Sequence, residues 1–177
     1  MARRKVLCIV GASGSGKDTI ARLLEKTDMG FKVLVSHTTR PMRPGERNHR
    51  EHIFHDPTKN ISYAKMDMLA YTQFGGYEYW TNFTDLSTTR INVYVIDERG
   101  LDYLREHYSH DCNIRVMYVR RTDRSKIDET RKQRDAERRQ LSIDEVDCVF
   151  VNDCKLKALP YRVINIEDYL KQIFTDK

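Results

Sequence analysis

Gly11-Ala12-Ser13-Gly14-Ser15-Gly16-Lys17-Asp18-Thr19 decides the fold. It follows the apolar run Lys5–Val10 and opens a helical pattern over Lys17–Lys26, in which Ile20, Ala21, Leu23 and Leu24 share one side. GxxxxGK between a strand and a helix is the spacing of a phosphate-binding loop. Glycines let backbone N–H groups curl around an anion. The helix N-terminus adds partial positive charge, and a lysine reaches the β- and γ-phosphates. Gly11, Ser13, Gly14, Ser15, Gly16 and Lys17 are therefore candidate phosphate ligands. After the lysine, where such loops carry Ser or Thr for magnesium, this chain has Asp18 and then Thr19. Asp18 is the candidate Mg²⁺ contact, directly or through water, and Thr19 a donor to a phosphate oxygen.

Outward from the loop, the apolar runs are short and separated by helical patterns. Lys5–Val10, Phe31–Ser36, Ile91–Asp97 and Asn113–Val119 read as buried strands, with Cys148–Val151 and Arg162–Ile166 as shorter candidates. Lys17–Lys26, Gly100–Tyr108, the charged stretch Asp123–Arg139 and Glu167–Phe174 read as helices. Strand, helix and strand at the start make a βαβ unit. Residues 37–87 break that rhythm with Arg, His, Tyr, Gly and Thr. They read as a lobe inserted over the C-terminal edge of a parallel sheet, where such folds bind ligands.

Composition agrees with one globular domain. The chain has 177 residues, 40% apolar and 32% charged, with 8 Gly and 4 Pro, which excludes collagen, low-complexity disorder and a disulfide-rich scaffold. No apolar run reaches the ~18 residues a membrane span needs. The apolar stretch after the N-terminal arginines is too short for a signal-peptide core. Cys8, Cys112, Cys148 and Cys154 form no CxxC pair and are expected as reduced thiols, hence a cytoplasmic setting. The net charge of +5 is concentrated between Arg120 and Gln140, where nine Lys/Arg meet five Asp/Glu. Such a local cationic segment suits compact polyanions such as phosphates, so neither nucleic acid nor membrane is expected as partner.

Arg40 and Arg43, just after the second strand, are spaced to converge on one anion, and arginine suits phosphate forks. The run Ser36-His37-Thr38-Thr39-Arg40-Pro41-Met42-Arg43-Pro44-Gly45-Glu46 resembles the start of the nucleoside monophosphate lobe in the guanylate kinase family. Phe74-Gly75-Gly76-Tyr77-Glu78-Tyr79 looks like that family's Gly-Asn-Tyr-Tyr turn, with Tyr79 at its phosphate-binding tyrosine. Val149-Phe150-Val151-Asn152-Asp153 looks like its late strand near the adenine pocket, and Arg131-Lys132-Gln133-Arg134 like its lid arginines. The matches spread over about residues 5–153.

The departures concern the acceptor. A family tyrosine that binds the acceptor phosphate falls at His52, which either hydrogen-bonds a phosphate or is an ordinary exposed histidine. The guanine-reading glutamate falls at Ala70, although Ser36 matches the serine that reads the guanine carbonyl, and Thr72 is close in sequence. One acid of the family's D-x-D survives, at Asp97. The lid is short, and Arg138 and Arg139 compete for its second arginine. The Gly-Ser-Gly-Lys-Asp loop and the missing glutamate also resemble ribose 1,5-bisphosphate phosphokinase.

The resemblance implies an α/β P-loop NTPase fold, a parallel sheet covered by helices. Its core would be residues 1–36, 88–120 and 146–177, with an acceptor lobe at 37–87 and an arginine-rich lid at 121–145. It implies phosphoryl transfer from ATP, with Mg²⁺, to a nucleoside monophosphate, GMP or dGMP foremost, by a monomer or homodimer. Lys17, Arg131, Arg134 and Arg138 would act on the moving phosphoryl group. Gly11, Ser13–Thr19 and Asn152 would hold ATP; Ser36, Arg40, Arg43, His52, Thr72, Tyr79 and Asp97 the acceptor. The alternatives are a sugar-phosphate kinase and a non-catalytic guanylate-kinase-like module that binds phosphorylated partners.

Overall fold

The computed structural model describes residues 2–27, 30–59, 61, 67–123, 125 and 127–175, the side chains of Phe74, Thr130, Arg131 and Arg134 excepted. In chain order the elements are β1 (Arg4–Val10), α1 (Lys17–Glu25), β2 (Phe31–Val33), β3 (His37–Thr38), β4 (Ile53–Phe54), β5 (Met68–Phe74), β6 (Tyr77–Asn82), β7 (Ile91–Val95), α2 (Glu98–Tyr108), β8 (Cys112–Arg120), α3 (Glu129–Ala136), β9 (Cys148–Val151) and α4 (Leu159–Gln172).

Alternation along β1 organises two cores, because successive side chains point to opposite faces of a strand. Leu7 and Ile9 pack with Ile20, Ala21 and Leu24 of α1 and with Leu159, Val163 and Leu170 of α4. Val6, Cys8 and Val10 pack with Leu101 and Leu104 of α2 and with Leu69 and Ala70 of β5. The strands lie in the order β2-β7-β1-β8-β9, every pair parallel. Loops leaving their C-terminal ends carry Gly11, Asp97 and Asn152 to one edge, the usual ligand side of such sheets.

The strands β3 to β6 build a second sheet in the order β4-β3-β6-β5. Its hairpin turns at Gly75 and Gly76, both with positive φ (58° and 78°), the geometry that tight hairpins demand and glycine adopts freely. Trp80 is fully buried against His37 and His55, a packing role. Residues 49–51 make a turn closed by the His49 N–H on the His52 carbonyl, after which His52 turns to Ser36 and His55 to His37.

Two local expectations are corrected. Arg162–Ile166 is not a strand but the middle of α4. Its β-branched residues mimic a strand, yet Leu159, Val163, Glu167 and Leu170 recur at helical spacing and are buried. The helix expected over Asp123–Arg139 is confined to Glu129–Ala136. The four cysteines are free, and no helix among the described residues is long and apolar enough to cross a membrane.

Leu7 sits in mid-strand with no exposed surface. Leu7→Ala is expected to cost about 2–5 kcal/mol in urea unfolding. A loss under about 1 kcal/mol would show that this face of β1 is not the main core.

Candidate active site

The loop between β1 and α1 is shaped by contacts with distant chain. Gly16, the N-cap of α1, has φ 98°, and a Cβ there would collide with the Asn152 amide nitrogen. That amide donates to the Ser15 carbonyl at 2.7 Å, so Asn152 braces the loop from the end of β9. Gly14 likewise has positive φ and lies against the end of the Ile127 side chain, which a Cβ would have to displace. Lys17 folds back over the loop, its Nζ donating to the carbonyls of Gly11 (2.6 Å) and Ala12 (2.9 Å).

A carboxylate already sits on the loop. Asp135, buried near the end of α3, accepts from the Ser13 N–H at 3.1 and 3.2 Å and from Ser13 Oγ at 3.0 Å. It meets donors of the kind that hold phosphate oxygens. Beside it, Arg138 donates from Nη1 to the Gly11 carbonyl at 2.9 Å and from Nε to Glu98 at 2.8 Å. Burial lowers the Arg138 pKa, but the Glu98 carboxylate outweighs it and the net shift is upward. Arg139 also lines the neighbouring cavity but is paired with Asp102 and Glu145, and its guanidinium holds the Glu145 carboxyl down to about 2. Of the two competing arginines, then, Arg138 reaches the loop. The side chains of Arg131 and Arg134 lie outside the described residues.

Across from the loop is a cavity of about 370 Å³. Ser36, Arg40, Arg43, His52, Thr72, Tyr79 and Asp97 all line it, together with Ala70, Glu98 and Arg138. Arg40 forms a two-pronged pair with Glu46, both bonds 2.9 Å, and stacks over Phe54. The Arg40 hydrogen bond is the main cause that holds Glu46 below the usual carboxylate range. Thr38 and Thr39 stabilise this turn: Thr38 Oγ1 accepts from the Arg40 N–H and Thr39 Oγ1 from the Glu78 N–H. Asp97 caps α2 through Oδ1, accepting from the Gly100 N–H at 2.8 Å, and Oδ2 accepts from Thr72 at 3.3 Å. The sequence reading missed Glu98 and Asp135; the only signals were adjacency to Asp97 and the three-residue spacing to Arg138.

Among the described residues no group of three or more His, Cys, Asp or Glu could hold a metal ion. That donor set still fits magnesium carried on phosphates, which takes most ligands from phosphate and water and one or two from protein. Asp18 and Thr19, exposed at the start of α1, are the oxygens available for it. Arg138 bonds the loop at the Gly11 carbonyl and lines the cavity, so the two adjoin.

His52 Nδ1 and Ser36 Oγ are 2.8 Å apart. Burial, and next the Arg40 charge, hold His52 below its ordinary value of 6.5. The unfolded ring therefore takes up its proton before the folded one, and acidification through that value removes stability. His52→Gln is expected to flatten the stability profile between about pH 7.5 and 5. An unchanged profile would assign the acid sensitivity to another group.

Residues 3–151 match the family model for guanylate kinase. The guanylate kinase of Nitrobacter winogradskyi is 35% identical over 115 residues, 62% of this chain. The chain spans about half the length of that relative, 52%. The guanylate kinase of Dechloromonas aromatica is 26% identical over 167 residues, 85% of this chain and 82% of that protein. The crystal structure of guanylate kinase from Anaplasma phagocytophilum has the same fold, with a TM-score of 0.65 at 16% identity over 97% of this chain and 88% of that one. A match that extends from Arg3 to Val151, across the phosphate loop and both sheets, makes the chain a member of the guanylate kinase family.

Proposed function

We propose that this protein is a nucleoside monophosphate kinase, transferring the γ-phosphoryl group of ATP to GMP or dGMP. The observation that carries the reading is the cavity holding Arg40, Arg43, Tyr79 and Ser36 opposite a phosphate loop with its lysine. Residues 37–87 act as the acceptor lobe and 121–145 as the lid. The free thiols suit a reducing, cytoplasmic setting.

Phosphoryl transfer depends on positioning and on neutralising charge more than on covalent chemistry. The loop N–H groups and Lys17 hold the ATP phosphates, with Lys17 leaving the Gly11 and Ala12 carbonyls to do so. Magnesium, when bound, neutralises phosphate charge. Arg40, Arg43 and Tyr79 fix the acceptor's phosphate so that its oxygen attacks in line. That oxygen is already ionised, and no general base is required. Arg138, and Arg131 and Arg134 from the same arm, meet the charge on the group in transit. Asp135 must give up Ser13 when a triphosphate enters, and Asp135→Asn is expected to bind Mg·ATP roughly 3- to 10-fold tighter. Equal or weaker binding would make Asp135 a permanent strut.

The rival substrate is ribose 1,5-bisphosphate, favoured by Ala70, which lines the cavity where a guanine-reading carboxylate belongs. ADP release under Mg·ATP decides between them, measured with GMP, dGMP, IMP, AMP, pyrimidine monophosphates and ribose 1,5-bisphosphate. Turnover concentrated on GMP or dGMP is expected. Ala70→Glu should then sharpen preference for GMP over AMP by about 10-fold or more, since one satisfied polar contact is worth ~1–3 kcal/mol. Turnover on the sugar phosphate alone would transfer the assignment to the rival. Absence of any turnover, with phosphopeptide binding retained, would favour the non-catalytic module.

A further inference from the structure

We infer that Glu98 is a positioning residue for phosphoryl transfer, acting through Arg138. The inference deepens the proposed kinase reading and rests on it for the reaction, though not for the identity of the acceptor.

Glu98 is the first residue of α2, directly after the cap Asp97. A carboxylate at a helix N-terminus is favoured by the helix dipole, so the charge is tolerated although the residue is only 5% exposed. Its one ionic partner among the described residues is Arg138, at 2.8 Å from Nε to Oε2. Arg138 comes from the other side of the site, beyond the end of α3. The bond therefore spans two elements that the chain connects only through forty residues.

The directions of the Arg138 donors give the pair its use. Nε is taken by Glu98, and Nη1 by the Gly11 carbonyl and, at 3.5 Å, by Asp135. Nη2 makes no hydrogen bond among the described residues, and Arg138 lines the acceptor cavity. The guanidinium is thus fixed where the phosphate loop meets the cavity, with two donors left for a phosphate. A planar guanidinium held at one edge cannot swing, and a preoriented donor spends nothing on reorganisation as charge develops. If the pair served only to fasten α3 onto the sheet, Nη2 would have no part in its purpose.

The experiment compares wild type, Glu98→Ala, Glu98→Gln, Arg138→Ala and the double variant E98A/R138A. It reads kcat, the KM values for ATP and acceptor, thermal unfolding, and the tightening of Mg·ADP binding by fluoroaluminate, a mimic of the phosphoryl group in transit. In Glu98→Ala, kcat is expected to fall about 10- to 100-fold while both KM values stay within about threefold. In the Arg138→Ala background the same substitution should change kcat less than about twofold, because the carboxylate acts only through the arginine. Glu98→Gln, which can still accept from Nε, should recover part of the rate. Fluoroaluminate should tighten Mg·ADP binding in wild type and not in Glu98→Ala.

Equal losses of kcat in both backgrounds would overturn the inference. So would a rise in KM at unchanged kcat, or fluoroaluminate tightening that survives Glu98→Ala or is missing from wild type. Should wild type tighten in this way but phosphorylate no nucleoside monophosphate, the acceptor reading fails while the role of Glu98 stands.

Discussion

The groups proposed to bind phosphate are held by the protein's own oxygens. Ser13 gives its N–H and hydroxyl to Asp135, Lys17 gives its ammonium to two loop carbonyls, and Arg40 is clasped by Glu46. A site built to take two polyanions must otherwise keep several cations close together. Removing one partner of a buried ion pair such as Arg40–Glu46 costs about 3–5 kcal/mol, because the survivor is left uncompensated. Pairing Arg40 with Glu46 and Lys17 with loop carbonyls steadies these cations in the site. Under the proposed reaction phosphate binding would be an exchange, in which a carboxylate or carbonyl yields a donor it already holds, and Asp135 and Arg138 would tie the stretch that carries them to nucleotide entry.

The exchange works only because the sheet brings the partners to one edge. Parallel strands β1, β7 and β9 end together, and each hands over one part: the loop at Gly11, the Asp97–Glu98 corner, and the Asn152 brace. Contacts between distant parts of the chain fix these parts more tightly than local preference could. Asn152 sets the shape of Gly16 from 136 positions away in sequence, and Arg138 meets Gly11 across 127. The second sheet contributes the other wall, and its short strands are stapled by the Trp80, His37 and His55 stack.

The same contrast between local and distant forces explains what could be read in the sequence. The unit β1, loop and α1 was legible because its determinants are local: an apolar run, a glycine spacing and a helical stripe within about 20 residues of one another. Arg40, Arg43 and Tyr79 were legible from the resemblance, and the fold brings them to one cavity. Val163, Ile164 and Ile166 misled because β-branched residues suit strands, while packing of Val163 and Leu170 against α1 decides for helix. The two-residue strands β3 and β4 carry no period at all, since two residues cannot show one. Asp135 and Glu98 were invisible for a different reason: a carboxylate in a charged stretch reads as solvated until its distant partner is known.

Under the proposed reaction, choice of acceptor base would turn on what replaces a carboxylate at Ala70. Within the cavity, Asp97 is anchored through Oδ1 as the cap of α2, so Oδ2 has a fixed direction. Its bond from Thr72 is long at 3.3 Å, and a carboxylate oxygen has a second lone pair. Under the proposed reaction one well-aimed acceptor is available to a base that offers two donors, the guanine N1–H and amino group. A single hydrogen bond to a charged acceptor is worth about 1.5–3 kcal/mol, or roughly 10- to 100-fold in discrimination. A two-oxygen reader would multiply that factor. Under the proposed reaction guanine would therefore keep an advantage over adenine, which has no N1–H to give, but by a narrower margin than a glutamate at position 70 would set.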